Sequence, residues 1–185
     1  DDLNYAERVL GLKDRIDRAG VRVLSSSSSV SAVSAAIVRL SEIRTPTRVT
    51  GFLAPASRYT ANSGSALSLI QSVGRPVRVL REGQLQTRHG WGEVRRFPMP
   101  QPVGRVRGWL FENADAVYLP RIWPSLTEVA MYVDTNTPGV NGPLRLGARF
   151  SAVRRFLESQ VRVGTWVSRI FGSTAGGLGY EIEDA

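Results

Sequence analysis

The segment from 127 to 134, TEVAMYVD, is apolar at nearly every position. A strand with one face in water alternates apolar and polar side chains, whereas a strand covered on both faces reads as a nearly continuous apolar run. The sequence therefore predicts a buried strand at the centre of a sheet. The rest of the chain then has to supply neighbouring strands and a covering layer.

Helical and strand patterns follow one another along the rest of the chain. Helices are predicted where apolar residues recur at intervals of three and four, and strands where short apolar runs lie between turn residues. The predicted helices span 3–19, 30–40, 63–73, 143–157 and 163–170, and the predicted strands span 21–24, 47–54, 77–81, 84–88 and 105–111. Few crossover helices separate the middle strands, which favours an α+β fold with a mixed, largely antiparallel sheet covered by helices on one face.

Two stretches do not fit a simple strand pattern. Prolines at 98, 100 and 102 predict an extended loop over 95–104, because proline cannot join the ladder of a central strand. The glycine-rich end of the chain leads into a strand around Tyr180 and Ile182. We expect the partner of that strand to lie outside the chain.

Composition and charge exclude several classes of site. The chain has no cysteine and one histidine, which excludes disulfides, thiol catalysis and thiolate metal sites and disfavours a histidine-rich metal site. The net charge is +8, but the arginines are dispersed and do not alternate with aromatic residues, so nucleic acid is not expected as a partner. No apolar run reaches the roughly 20 residues of a membrane span, and no signal peptide follows Asp1, so we predict a cytoplasmic protein without a membrane partner.

Sequence motifs for catalysis or nucleotide binding are absent from the chain. Gly90-Trp91-Gly92 is not completed to GxGxxG because Arg95 stands at the last position, and no phosphate-binding loop or nucleophile elbow occurs. His89 lies in a predicted turn and is read as a surface residue. The carboxylates Glu112 and Asp115 are predicted to flank a loop, and no catalytic residue is assigned.

A distributed pattern resembles one family. The segments AGVRVLSSSSSVSAVSAAIVRL (19–40), SGSALSLIQSVGRPVRVLREG (63–83), RRFPMPQPVGR (95–105), DAVYLP (115–120) and TEVAMYVDT (127–135) occur in the order found in saccharopine-dehydrogenase-like proteins. The resemblance covers about residues 5 to 140 and rests on order and spacing, since each segment alone is unspecific. Ser31 departs from the family, which usually has proline there, so the loop before the following helix is expected to be less rigid.

The resemblance implies a domain organisation and a cofactor. Residues 1–45 correspond to the end of a nucleotide-binding half and a linking helix, 46–172 to a substrate-binding and dimerisation domain, and 173–185 to the start of the return toward the first half. The fold implied is that of the C-terminal domain of saccharopine-dehydrogenase-like and dihydrodipicolinate-reductase-like oxidoreductases. The Rossmann domain that would bind NAD or NADP is then a partner domain of the same protein that this chain does not contain. The chain itself is expected to bind no cofactor, to be inactive alone and to form a homodimer.

A candidate substrate site lies at the start of the helix over 63–73. Free N–H groups at a helix N-terminus bind anions, and the parent would reduce or oxidise a small carbonyl or imine compound that carries a carboxylate. The candidate substrate-binding residues are Arg58, Asn62, Ser63, Gly64 and Ser65. The competing interpretation is an ordinary helix cap with no ligand.

A second function remains open, in which the parent has lost catalysis and the domain serves protein interaction or assembly. Its main surface would be an apolar stripe late in the chain. The residues of that stripe are Val163, Trp166, Val167, Ile170 and Phe171.

Overall fold

A computed structural model describes residues 3–23 and 30–184. The helices and strands are α1 (Leu3–Gly11), α2 (Lys13–Arg18), α3 (Ser31–Leu40), β1 (Pro46–Ala54), α4 (Ser57–Thr60), α5 (Ser63–Ser72), β2 (Pro76–Arg81), β3 (Gln84–His89), β4 (Val94–Pro98), β5 (Arg105–Phe111), α6 (Asp115–Ile122), β6 (Glu128–Val133), α7 (Asn141–Arg149), α8 (Ser151–Ser159), α9 (Val161–Phe171) and β7 (Gly177–Asp184). Among these residues no helix is both long enough and apolar enough to cross a bilayer.

Strand β6 lies at the centre of a seven-stranded sheet, as its apolar run predicts. It is buried at every position except Glu128. One edge of β6 pairs in parallel with β1, and β7 follows antiparallel to β1. The other edge of β6 pairs antiparallel with β5 and, through Leu80 opposite Val129, with β2. Strand β3 pairs antiparallel with β2, and β4 pairs antiparallel with β5. The α+β class and the mixed, largely antiparallel sheet are therefore confirmed.

Helices α1, α3 and α6 cover one face of the sheet. Leu3, Val38 and Leu119 from these helices are almost completely buried. They belong to one core cluster with Val49 of β1 and Val129 of β6. Burying such side chains contributes roughly 1.5–3 kcal/mol each, so this layer anchors the parallel pair from one side.

The opposite face is covered by strand β4, which folds back over β1. The Phe97 ring of β4 stacks on the Phe52 ring of β1, with centroids 4.3 Å apart and an interplanar angle of 9°. Gly179 of β7 leaves the space that Phe97 fills, since a Cβ at Gly179 would overlap the ring. The expectation of a loop over 95–104 is therefore wrong for its first part. Pro98 is tolerated because β4 is an edge strand, and Pro98 ends it.

Strand β7 has its partner inside the chain, contrary to the expectation. It runs antiparallel along the outer edge of β1, with Tyr180 opposite Gly51 and Ile182 opposite Val49. The two strands are separated by more than a hundred residues, and no local pattern indicates such a pairing. Tyr180 and Ile182 pack against the core cluster beneath α3 and α6.

Two predicted helices are each broken into two. The helix over 3–19 is interrupted at Leu12, between α1 and α2. The helix over 143–157 is interrupted at Phe150, whose extended backbone (φ −123°, ψ 114°) separates α7 from α8. The break lets α8 pack back on α7, and a Cβ at Gly147 would lie 3.0 Å from Leu157 Cδ1. Because no glycine or proline stands at Phe150, the sequence does not predict this break.

The remaining expectations concern the N-terminal region and the segment before β6. Residues 21–23 are irregular and exposed rather than strand. Leu24 and the serine run from 25 to 29 lie outside the described residues. Glu112 and Asp115 lie at the two ends of the short loop between β5 and α6, as predicted, and Asp115 begins α6, which contains Pro120. The helix predicted over 30–40 is confirmed, and it begins at Ser31.

Candidate ligand-binding cavity

A cavity of about 640 Å³ lies at the carboxyl ends of the parallel strands β1 and β6. Ligand sites are common outside the carboxyl ends of parallel strands, where diverging connections leave a crevice. Helices α4, α5, α7 and α9 supply the walls. The large apolar residues that line it are Leu53, Leu69, Ile70, Phe111, Val133, Val140, Leu144 and Val161.

The position of α5, one wall of the cavity, is fixed at its C-terminal end. Gly74 adopts φ +66°, which glycine tolerates best, and its N–H donates to the carbonyl of Gly90 at 3.0 Å. Ile70 and Val73 then pack with Trp91, Trp109 and Leu144 in one buried cluster. The wall therefore rests on a core that also holds α7.

The N-terminus of α5 opens on the cavity, where the sequence places the candidate site. Asn62 caps the helix as predicted, since its Oδ1 accepts from the Ser65 N–H at 2.9 Å. Asn62, Gly64 and Ser65 line the cavity, whereas the exposed Ser63 does not. Within the described residues, the Gly64 N–H has no acceptor. That group is available to a ligand.

Arg58 is placed elsewhere. Its side chain is exposed and donates from Nη2 to the carbonyl of Ile170 at 3.1 Å, which caps the C-terminal end of α9. It does not line the cavity, and none of the described residues that do line it is basic. An anionic ligand group there would depend on the N-terminus of α5 alone.

Polar residues at the end of β6 contribute groups that sequence analysis missed. Asp134 and Thr135 line the cavity. The Asp134 carboxylate accepts from the Asn136 N–H at 2.8 Å, from Asn141 Nδ2 at 2.7 Å and from the Arg107 N–H at 3.1 Å. The sequence does contain an indication of these groups, because the polar residues Asp134 and Thr135 directly follow the apolar run of β6. Their position indicates a ligand site only once β6 is known to run parallel to a neighbouring strand.

Three hydroxyl groups tie the cavity walls together. Thr137 Oγ1 lies 3.0 Å from Ser57 Oγ of α4 and 3.2 Å from Ser168 Oγ of α9. Ser57 Oγ donates to the carbonyl of Asn136 at 2.8 Å. Ser57 and Ser168 line the cavity. These hydroxyls bond one another and backbone groups, an arrangement suited to holding walls and orienting a ligand.

His89 lies outside the cavity. It is exposed, as predicted, at the end of β3, and its Nε2 lies 2.8 Å from the carbonyl oxygen of Ala148. Among the described residues that line the cavity, Asp134 is the only one with an ionisable side chain. The geometry supports binding and orientation of a ligand, and no general acid or base is assigned among the described residues that line the cavity.

A separate buried polar cluster joins α3, α6 and β7. Asp115 is 4% exposed, and its Oδ2 accepts from Asn113 Nδ2 at 2.8 Å, while Ser31 Oγ lies 2.7 Å from Asn113 Oδ1. Burial raises the pKa of Asp115, against the opposing effect of hydrogen bonds from Ser34, Asn113 and Ser31. Burial, and then the nearby Asp115 charge, raise the pKa of Tyr180. The Ser31 hydroxyl thus belongs to this buried polar cluster.

Replacing Asp115 by asparagine should change how stability depends on pH. A carboxyl whose pKa is raised by folding stabilises the native state below its unfolded pKa, about 3.9, and this contribution is lost as pH rises through the folded pKa. The stability of Asp115→Asn relative to the wild type should therefore be greater at pH 7 than at pH 4. Urea denaturation across this range measures it. A constant difference at all pH values would contradict a titrating Asp115.

No known protein-family model matches this chain, and a comparison with curated proteins gives no significant match.

Proposed function

We propose that this chain is the substrate-binding domain of a nicotinamide-dependent oxidoreductase of the saccharopine-dehydrogenase-like kind. The observation that carries the proposal is the cavity at the carboxyl ends of β1 and β6, which Asn62, Gly64 and Ser65 line. The sequence resemblance supplies the reaction class. A dinucleotide domain of the parent would bind NAD or NADP and deliver or accept hydride, and the present domain would hold the carbonyl or imine compound.

The chemistry of the cavity walls limits the ligand. Apolar side chains dominate the lining, hydroxyl and N–H groups are interspersed, and no described lining residue carries a positive charge. A ligand with an apolar body and neutral hydrogen-bonding groups fits these walls best. A single carboxylate fits only beside Gly64 at the N-terminus of α5. A second anionic group would meet the carboxylate of Asp134 without a compensating cation.

Filling the cavity should weaken ligand binding without weakening the fold. Gly164 of α9 lines the cavity, and a Cβ there meets nothing within 4 Å. Gly164→Leu introduces a side chain into open space and improves helix propensity by roughly 1 kcal/mol. We expect the affinity for N-phenylnaphthylamine, a neutral apolar fluorophore, to fall at least about tenfold, which corresponds to about 1.4 kcal/mol. A fluorescence titration measures this change.

Gly11→Leu is the matched control for this titration. Gly11 ends α1, is exposed, does not line the cavity, and a Cβ there also meets nothing within 4 Å. The same substitution at Gly11 should leave fluorophore affinity unchanged. Equal affinity in wild type, Gly164→Leu and Gly11→Leu would show that the fluorophore binds elsewhere and would remove the support for the cavity.

The redox class is tested by the coding sequence that precedes Asp1. The proposal predicts a strand followed by an intact GxGxxG that opens a helix. A sequence in which those glycines are replaced would instead favour a parent without catalysis, and the domain would then serve interaction or assembly.

We also propose a homodimer formed through α9. Trp166 is 59% exposed, and Val163, Ile170 and Phe171 beside it are exposed as well. Exposed apolar patches on a helix commonly mark protein contacts. Sedimentation velocity tests the proposal, because a monomer at all protein concentrations would contradict it.

A further inference from the structure

Three arginines converge on the outer surface of the β4–β5 hairpin. Arg96 of β4 lies directly opposite Arg107 of β5 in the antiparallel pair. Arg145 of α7 lines the same surface hollow as both. These three residues are called the arginine triad below. All three are exposed.

The arginine triad is not neutralised by the protein. Within the described residues, no carboxylate lies within 4.0 Å of the guanidinium nitrogens of these three arginines, whereas Arg48, Arg78 and other arginines form ion pairs. Like charges directly opposite one another on paired strands destabilise a sheet. The fold therefore retains an unfavourable pair on an exposed hairpin, where a neutral residue would be tolerated.

Two adjoining hollows surround the arginine triad. One hollow, of about 310 Å³, is lined by the triad with Trp91 and Trp109, and an adjoining one, of about 350 Å³, shares Arg107, Trp109 and Arg145. None of the described residues that line either hollow is acidic. Trp91 is 2% exposed, and its Nε1–H has no acceptor within the described residues.

Asn141, which lines the second hollow, is already engaged on the protein side. Its side chain bonds Asp134 at 2.7 Å and Thr135 Oγ1 at 2.7 Å. The Asp134 carboxylate also accepts from the backbone N–H of Arg107 in β5, so it bonds the main chain and not the guanidinium group. The guanidinium groups of the arginine triad are therefore the groups left to a ligand, because the indole N–H of Trp91 is buried.

We propose that the arginine triad binds a small, multiply charged phosphate compound. Guanidinium groups match the geometry of phosphate oxygens and donate two hydrogen bonds at once. One phosphate monoester carries roughly −1.5 to −2 charges at pH 7, so three arginines suit a diphosphate or a monophosphate with an added carboxylate. Trp91 and Trp109 are 2% and 7% exposed, which leaves no aromatic face on which a base could stack. Charge and hydrogen bonds therefore carry the recognition.

Calorimetric titration with inorganic pyrophosphate in roughly 0.15 M salt, which screens exposed charges outside the site, tests this proposal. Arg107→Gln should weaken pyrophosphate binding at least about tenfold, since charge-assisted hydrogen bonds to phosphate are among the strongest a protein makes. Arg105→Gln is the matched control, because Arg105 lies two residues away on the same exposed strand face and lines neither hollow. Its affinity should stay within about twofold of the wild type, as expected for a charge outside the site.

Thermal denaturation separates a binding role from a structural one. Arg96→Gln removes the repulsion across the hairpin, so the ligand-free variant should have a higher Tm than the wild type at low salt. Pyrophosphate should raise the Tm of the wild type and leave that of Arg96→Gln nearly unchanged. A structural role for Arg96 would give the opposite sign in the ligand-free protein.

Several outcomes would overturn the proposal. Equal weakening by Arg105→Gln and Arg107→Gln would indicate general attraction to a positive surface. Binding of a single-stranded oligonucleotide or of anionic phospholipid vesicles without binding of pyrophosphate would assign the surface to a macromolecule or a membrane. Fluorophore binding to the cavity should persist in Arg107→Gln, so failure at this site leaves the proposed substrate cavity untouched.

Discussion

Replacing Phe52 by alanine should lower the free energy of unfolding by about 3–5 kcal/mol. Phe52 is completely buried, and its ring stacks on Phe97 at 4.3 Å and lies 5.6 Å from the ring of Tyr132. These rings join β1, β4 and β6, so truncation leaves a cavity where three strands meet. Urea denaturation measures the change through its midpoint at constant slope.

Phe156→Ala is the matched control for Phe52→Ala. Phe156 of α8 is 64% exposed, so its truncation should change stability by about 0.5 kcal/mol or less. An effect of Phe52→Ala no larger than that of Phe156→Ala would contradict the folding of β4 over β1.

Replacing Gly74 by alanine should lower the free energy of unfolding by about 2–5 kcal/mol. The backbone has φ +66°, which costs a residue with a Cβ about 1–2 kcal/mol. The added Cβ would also lie 2.7 Å from the carbonyl oxygen and 2.9 Å from the Cα of Ala148, and overpacking of this kind costs about 1–3 kcal/mol. Since Ala148 belongs to α7, we expect α7 to move away from α5 and fluorophore affinity for the cavity to fall.

Gly83→Ala separates the two contributions at Gly74. Gly83 has φ +73°, and a Cβ there meets nothing within 4 Å. Its replacement should cost only the backbone contribution, about 1–2 kcal/mol, and should leave the cavity unchanged. Equal losses of stability at Gly74 and Gly83, again by urea denaturation, would show that α5 and α7 are not in close contact at Gly74.

Local periodicity predicted much of this fold. The apolar run at 127–134 gave the central strand β6, and alternation around Glu82 and Gly83 gave the β2–β3 hairpin. The sequence indicated neither the pairing of β7 with β1 nor the packing of β4 over β1. Both features depend on contacts between residues far apart in the chain. The break at Phe150 is likewise a consequence of packing between α7 and α8.

Only part of the candidate site could be read from residue types. The capping preference of asparagine placed Asn62, Gly64 and Ser65 at a helix N-terminus, which now lines the cavity. Arg58 was assigned to the same site by proximity in sequence, yet it reaches the end of α9. Asp134 lines the cavity because β6 runs parallel to β1, and no local pattern specifies strand direction.

The register of the β4–β5 hairpin was equally hidden from the sequence. Arg96 and Arg107 are eleven positions apart, and their pairing follows from a strand that the prolines appeared to forbid. The like-charge pair is therefore a structural observation that the composition did not indicate, because the dispersed arginines argued only against nucleic acid as a partner.

The central claim is that a ligand occupies the cavity beyond the carboxyl ends of β1 and β6. Amide chemical shifts recorded by NMR during titration with N-phenylnaphthylamine test it most directly. We predict saturable shift changes at Gly64, Ser65, Gly164 and Thr165, which line the cavity. Shift changes confined to the exposed α9 stripe around Trp166 would instead show adsorption to an apolar surface and would contradict the cavity as the ligand site.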